Sequence, residues 1–107
     1  MKKPRISLFI IAKDEEAKIA KCILSARGLV NEVIVVNAFS KDKTALICRD
    51  LGAQVYDRAF DGFANQKNFG LSKVTGDWAL NLDADETLSP ALKEEIAQVI
   101  QHTDCSG

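Results

Sequence analysis

The stretch Ile6-Ser7-Leu8-Phe9-Ile10-Ile11-Ala12, followed at once by Lys13-Asp14-Glu15-Glu16, decides the fold. Nearly continuous hydrophobe rich in β-branched residues is the pattern of a strand buried on both faces of a parallel sheet. Such a strand needs helices to cover it, and the next segment supplies one. From Asp14 to Ala26 the apolar positions Ala17, Ala20, Ile23 and Leu24 recur at helical spacing, and Gly28 follows where a left-handed helix stop costs least.

The unit then repeats. Glu32 to Val36 reads as a second buried strand, Ser40 as the cap of a helix carrying Ala45, Leu46, Cys48 and Leu51, and Gly52 as its end. Ala53 to Tyr56 makes a short third strand, and Phe60 to Lys73 a loop leading into a less regular helix. Trp78 to Leu82 is a fourth strand, expected near the centre of the sheet. Ser89-Pro90 starts a last helix through Leu92, Ile96, Val99 and Ile100, with Pro90 at the first helical position. Strands alternating with crossover helices predict an α/β domain over residues 1–101, three-layered and Rossmann-like, with a mostly parallel sheet and helices on both faces. Residues 102–107 read as a frayed tail.

Composition bounds the function classes. The 107 residues suffice for one domain, and 14 Lys and Arg against 15 Asp and Glu give a net charge of -1, so no field draws the chain onto nucleic acid. The basic start, Met1 to Arg5, ahead of an apolar run imitates a signal peptide. That run is very short, however, and charged residues follow it with no small-residue cleavage site. No apolar stretch approaches the roughly 18 residues that span a bilayer, which leaves at most peripheral membrane contact. The three cysteines, Cys22, Cys48 and Cys105, are odd in number and lack metal-ligand spacing, which suits a reducing cytoplasm.

Ligands of open parallel sheets bind beyond the carboxyl ends of the strands. Three polar segments fall there: Lys13 to Glu16, Asn37 to Thr44, and Asp83 to Glu86. The last places three carboxylates in four residues, Asp83-Ala84-Asp85-Glu86. Their mutual repulsion is relieved by a shared hard cation such as Mg²⁺ or Mn²⁺, which takes carboxylate, phosphate and water oxygens together. The plainer alternative is a solvated acidic turn capping the helix that begins near Ser89.

ISLFIIAKDEE (6–16), EVIVVNAFSKDKT (32–44), DGFANQKNFGL (61–71) and GDWALNLDADE (76–86) stand in the order and spacing of family 2 glycosyltransferases. The chain most resembles the branch that adds sugars to the lipopolysaccharide core, and the resemblance runs to about Ile100. It implies the N-terminal, nucleotide-binding half of a GT-A fold, a nucleotide-diphosphate sugar donor (a UDP-sugar), a divalent cation, and a lipid-linked saccharide acceptor. The expected setting is the cytoplasm, at the cytoplasmic face of the inner membrane. By the same resemblance Asp83 lies near the donor ribose and Asp85 holds the metal on the diphosphate. The loop from Ala12 through Asp14 to Glu15 touches the nucleoside, and Lys67 occupies a basic position lining the nucleotide site. For Lys67 the residues alone favour a solvated helix position. The family's catalytic base comes from an acceptor half beyond Gly107, so the chain is expected to be incapable of transfer by itself.

The departures concentrate in one loop. Where the family usually reads Asp-Ser-Gly-Ser-x-Asp-Gly-Thr, this chain has Asn37-Ala38-Phe39-Ser40-Lys41-Asp42-Lys43-Thr44. Asn37 replaces the Asp expected to accept a hydrogen bond from the base; its amide oxygen still accepts, without the charge that strengthens such bonds. Phe39 and Lys43 replace two glycines, so the loop must change shape or carry strain. Asp14 stands where the family more often has Asn. Two other readings compete. One is a module of the same fold that binds a nucleotide or a partner without turnover. The other is a phospho-receiver, with Asp14, Glu15 and Asp57 as its acidic cluster, which leaves Asp83 and Asp85 unexplained.

Overall fold

The structure is a computed structural model and describes residues 4–102. The elements alternate as expected: β1 (Ile6–Ala12), α1 (Ile19–Ser25), β2 (Glu32–Asn37), α2 (Thr44–Asp50), β3 (Gln54–Asp57), α3 (Phe63–Ser72), β4 (Trp78–Asp83) and α4 (Pro90–His102). The strands form one sheet in the order β3-β2-β1-β4, and every pairing is parallel.

β1 lies between two neighbours, which explains its unbroken hydrophobicity. Its side chains alternate between the faces. Leu8, Ile10 and Ala12 join Val35 and Leu82 in a core closed by Ile19, Cys22 and Ile23 of α1 and Cys48 of α2. Phe9 points the other way, towards α3, where Gly70 lies against Phe9 and Val36; an added Cβ there would stand 3.0 Å from the Phe9 ring. Helices therefore cover both faces. Gly28 and Gly52 end the turns after α1 and α2 with φ of 90° and 88°, the left-handed stops read from the sequence. Ser89 Oγ accepts the Leu92 N–H at 3.1 Å and caps α4, with Pro90 its first residue.

Four features differ from the sequence reading. First, α1 begins at Ile19 rather than Asp14: Asp14 has a left-handed backbone, φ 53°, and the N–H groups of Asp14, Glu15 and Glu16 tie the segment to Ser40, Thr44 and Asp42. Second, Ser40 caps nothing: α2 starts at Thr44, and it is Asp42 Oδ1 that accepts the Thr44 N–H, at 3.0 Å. Third, β4 is an edge strand of the described sheet, paired with β1 alone and only partly buried. Fourth, α3 is a regular ten-residue α-helix, entered through Gly62 at φ 121°.

Of the basic start, Met1 to Lys3 lie outside the described residues, but Arg5 is tied down. Its N–H donates to Asp77 Oδ2 at 2.9 Å, and its carbonyl accepts from the N–H groups of Asp77 and Trp78. Residues 103–107 of the expected tail lie outside the described residues, and His102 closes α4.

Candidate functional site

Parallel register brings the carboxyl ends of three strands side by side. Ala12 is paired with Asn37, and Ile11 with Asp83. The loops that leave these ends are where the chain's polar residues were expected to gather.

The first two loops are laced together. Asp14 N–H donates to Ser40 Oγ at 2.9 Å, Glu15 N–H to Thr44 Oγ1 at 2.8 Å, and Glu16 N–H to Asp42 Oδ2 at 3.1 Å. In return Lys41 N–H donates to Asp14 Oδ1 at 2.7 Å and Lys43 N–H to Glu16 Oε2 at 3.3 Å, while Ala38 N–H reaches the Ala12 carbonyl. Thr44 is fully buried, and its hydroxyl donates on to Asp42. Burial pushes the Asp42 carboxyl up, but the hydrogen bonds from Thr44 and from Glu16 N–H outweigh it and hold the group below the ordinary carboxylate range.

The lacing shows how the loop tolerates its missing glycines. Phe39 keeps a left-handed backbone, φ 51°, with its ring exposed. Lys43 does not; its φ of -87° is ordinary, so the loop has changed shape there. Asp14 is left-handed as well, φ 53°, a conformation Asp tolerates better than most residues.

Asn37 is only 3% exposed and both ends of its amide are engaged. Nδ2 donates to Asp57 Oδ1 at 2.8 Å, and Oδ1 accepts from the Ser40 hydroxyl. The structure thus puts Ala12, Asp14, Glu15 and Asn37 in one bonded unit.

The third segment forms a turn on the neighbouring strand. Glu86 folds back so that its Oε1 accepts the Asp83 N–H at 2.7 Å, and the Asp83 carbonyl accepts from Glu86 N–H. Ala84 is buried beneath, and Cys22 Sγ lies 3.5 Å from the Asp83 carbonyl. One oxygen of Glu86 is therefore engaged in the turn. The carboxylates of Asp83 and Asp85 are exposed and bond to no described residue.

Among the described residues no three His, Cys, Asp or Glu side chains are grouped so as to hold a metal by themselves. Asp83 and Asp85 fit the partial kind of site that Mg²⁺ and Mn²⁺ use, in which one or two carboxylates leave the other positions to phosphate and water.

Lys67 stands apart. It is exposed, one turn into α3, and no hydrogen bond or ion pair joins it to the other segments. Its neighbour Gln66, which the sequence did not single out, is fully buried. Gln66 Oε1 accepts from Arg58 at 2.6 Å, and its Nε2 donates to the Arg58 carbonyl at 3.1 Å. The Arg58 guanidinium also pairs with Asp61 at 2.7 Å, and that hydrogen bond holds the Asp61 carboxyl below its usual range. A Gln four residues before a Gly in a helix gives no sign of this.

Comparison with known proteins identifies the family and the fold. The family model described as glycosyl transferase family 2 matches residues 7–107. A glycosyltransferase of Rickettsia felis is 46% identical over 95 residues, covering 89% of this chain and 34% of that protein. The lipopolysaccharide core biosynthesis glycosyltransferase LpsC of Rhizobium meliloti is 35% identical over 105 residues, covering 92% of this chain and 38% of that protein. Among solved structures, glucosyl-3-phosphoglycerate synthase from Mycobacterium tuberculosis, in complex with Mn²⁺, uridine diphosphate and phosphoglyceric acid, superposes with a TM-score of 0.66 at 26% identity. The match covers 78% of this chain and 35% of that one. The chain spans about a third of the length of the curated relatives it matches.

Proposed function

The chain belongs to glycosyl transferase family 2, and on that premise we propose that it forms the donor side of an inverting, metal-assisted transfer from a UDP-sugar to a lipid-linked saccharide of the cell envelope. One observation carries the reading: two laced loops and a pair of carboxylates without a partner among the described residues stand at the ends of adjacent strands. That is where an α/β sheet binds its ligand.

In this reading the laced loops, Ala12 to Glu15 and Asn37 to Thr44, seat the nucleoside, and Asp83 faces the ribose. Asp85, with Asp83 beside it, would hold Mg²⁺ or Mn²⁺, which when bound neutralises the departing diphosphate. Lys67 adds a point charge from α3. An acceptor hydroxyl attacks the anomeric carbon and gives its proton to a base on the acceptor side, outside these 107 residues. The lipopolysaccharide-core setting draws on the likeness to LpsC. It puts the reaction at the cytoplasmic face of the inner membrane; no helix of the described residues is long and apolar enough to cross a membrane.

A second reading, a module that binds a nucleotide or partner without turnover, is favoured by the Asn37 amide, whose two ends are bonded within the loops. Calorimetric titration with UDP and Mn²⁺ tests the first. Asp85→Ala should abolish metal-dependent binding and leave the fold intact, since it removes an exposed ligand and no core. Unchanged affinity in the variant would remove Asp85 from the metal site, and tight binding without metal would count against the site as a whole.

A further inference from the structure

We propose that Asp57, the last residue of β3, supplies the carboxylate that reads the base of the bound nucleotide in place of Asn37; the assignment rests on the nucleotide-binding reading above. The two residues are register partners at the carboxyl ends of β2 and β3. At this pair of strand ends the charge stands on β3, at Asp57, and not on β2, where Asn37 is neutral.

The geometry shows why Asn goes with Asp57. Asn37 Nδ2 donates to Asp57 Oδ1 at 2.8 Å, a bond that a carboxylate at position 37 could not make. Two carboxylates facing each other across a strand pair would repel. The amide is held in one orientation by a chain of donors: Asp14 N–H to Ser40 Oγ, the Ser40 hydroxyl to Asn37 Oδ1, and Asn37 Nδ2 to Asp57. Each donor points towards Asp57, which is the negative end of the chain.

Accessibility points the same way. Asn37 is 3% exposed, whereas Asp57 is exposed and its Oδ2 has no partner among the described residues. Its backbone is fixed, because Arg58 N–H donates to the Asn37 carbonyl at 2.9 Å. The adjacent cation does not quench it: the Arg58 guanidinium is committed to Asp61 and Gln66. What remains is an anchored, half-satisfied carboxylate at the rim of the laced loops. It suits a ring N–H flanked by carbonyls, as in the uracil imide, which needs a strong acceptor.

The test is a titration of the full chain, in Mn²⁺, with UDP and with UDP methylated at the uracil imide nitrogen, using the unchanged protein and Asp57→Asn. The Asn variant keeps an oxygen for Asn37 Nδ2 and removes only the charge. The unchanged chain should bind UDP at least about tenfold more tightly than the methylated compound, as losing a charge-assisted hydrogen bond implies. Asp57→Asn should lose about tenfold towards UDP and discriminate between the two by less than about threefold. UDP binding that is equal in both proteins, or discrimination that survives in Asp57→Asn, would overturn the role of Asp57 and leave the nucleotide reading standing. Absence of UDP binding by the unchanged chain would overturn both.

Discussion

Gly76 and Ser7 meet so closely that a Cβ on Gly76 would lie 2.6 Å from Ser7 Oγ and 2.8 Å from the Arg5 carbonyl oxygen. The contact is a hydrogen bond, since Gly76 N–H donates to Ser7 Oγ at 2.9 Å and brings the entry to β4 onto β1. Gly76→Ala must push the two apart, and the backbone on the Arg5 side has little room to yield. The expected cost is about 1–3 kcal/mol, read as a lower urea midpoint. An unchanged midpoint would mean that the start of β4 shifts freely.

The same junction is pH-sensitive through Glu32. Burial pushes the Glu32 carboxyl up, but hydrogen bonds from the Ser7 hydroxyl and from the N–H and hydroxyl of Thr75 outweigh it and hold the group below its ordinary value of 4.5. A depressed carboxylate stabilises the fold above its unfolded value, and the contribution is lost as pH falls through the folded value. The unchanged chain should therefore lose stability below about pH 4.5 in part through this group. Glu32→Gln should melt lower at pH 7 by a few degrees, about 1 kcal/mol for a partly exposed group, and the difference should shrink towards pH 3. A pH-independent difference between the two melting curves would count against Glu32 as the titrating group.

Thr44 is the buried pin between the first two loops, accepting from Glu15 N–H and donating to Asp42. Thr44→Val preserves volume and strands the Glu15 N–H, at an expected cost of about 1–3 kcal/mol; Thr44→Ser keeps the hydroxyl and should cost less than about 1.5 kcal/mol. Amide hydrogen exchange at Glu15 and Glu16 should accelerate in the Val variant alone. Equal exchange in both variants would show that the lacing does not depend on this hydroxyl.

Burial pushes the thiols of Cys22 and Cys48 up to about 12 and about 11. Almost no thiolate exists at pH 8, so both should resist iodoacetamide in the native protein and react once denaturant is added. Peptide mapping by mass spectrometry decides the matter; rapid native labelling of either would contradict its burial.

Given a UDP-sugar, Mn²⁺ and a lipid-linked saccharide, the 107 residues alone should give no acceptor labelling above background. Acceptor positioning and base catalysis are separate contributions, and the proposed division places both elsewhere. Slow donor hydrolysis could survive. Acceptor labelling that disappears in Asp85→Ala would show a complete catalytic site in these residues and overturn that division.

The strands were legible because burial on both faces writes itself into composition, as in Ile6 to Ala12 and Val33 to Val36. The starts of α1 and α2 were not, because the residues that bond Asp14 to Glu16 come from 26 to 29 residues away. The Trp78 to Leu82 run suggested a central strand, yet among the described residues it pairs with β1 alone, and Ala79 and Asp83 are exposed. The grouping of Asp14 and Asn37 followed from strand ends alone. The engagement of Asn37 by Asp57, and of Gln66 by Arg58, depends on which side chains the folded backbone brings within reach, and no spacing encodes it.

The pairing of β1 with β4 also sets an order of assembly. It joins residues 72 apart in sequence, Ile11 with Asp83, whereas β1 and β2 join residues 25 apart, Ser7 with Glu32. Closing the longer loop costs about 1 kcal/mol more at about 0.6 kcal/mol per doubling. A refolding chain is therefore expected to zip β1, β2 and β3 first and to receive Asp83 and Asp85 last, so that on the proposed reading the nucleotide side of the site forms before its metal side. The chain's single tryptophan, Trp78, lies on the late strand, and its fluorescence in a stopped-flow experiment would report that final arrival.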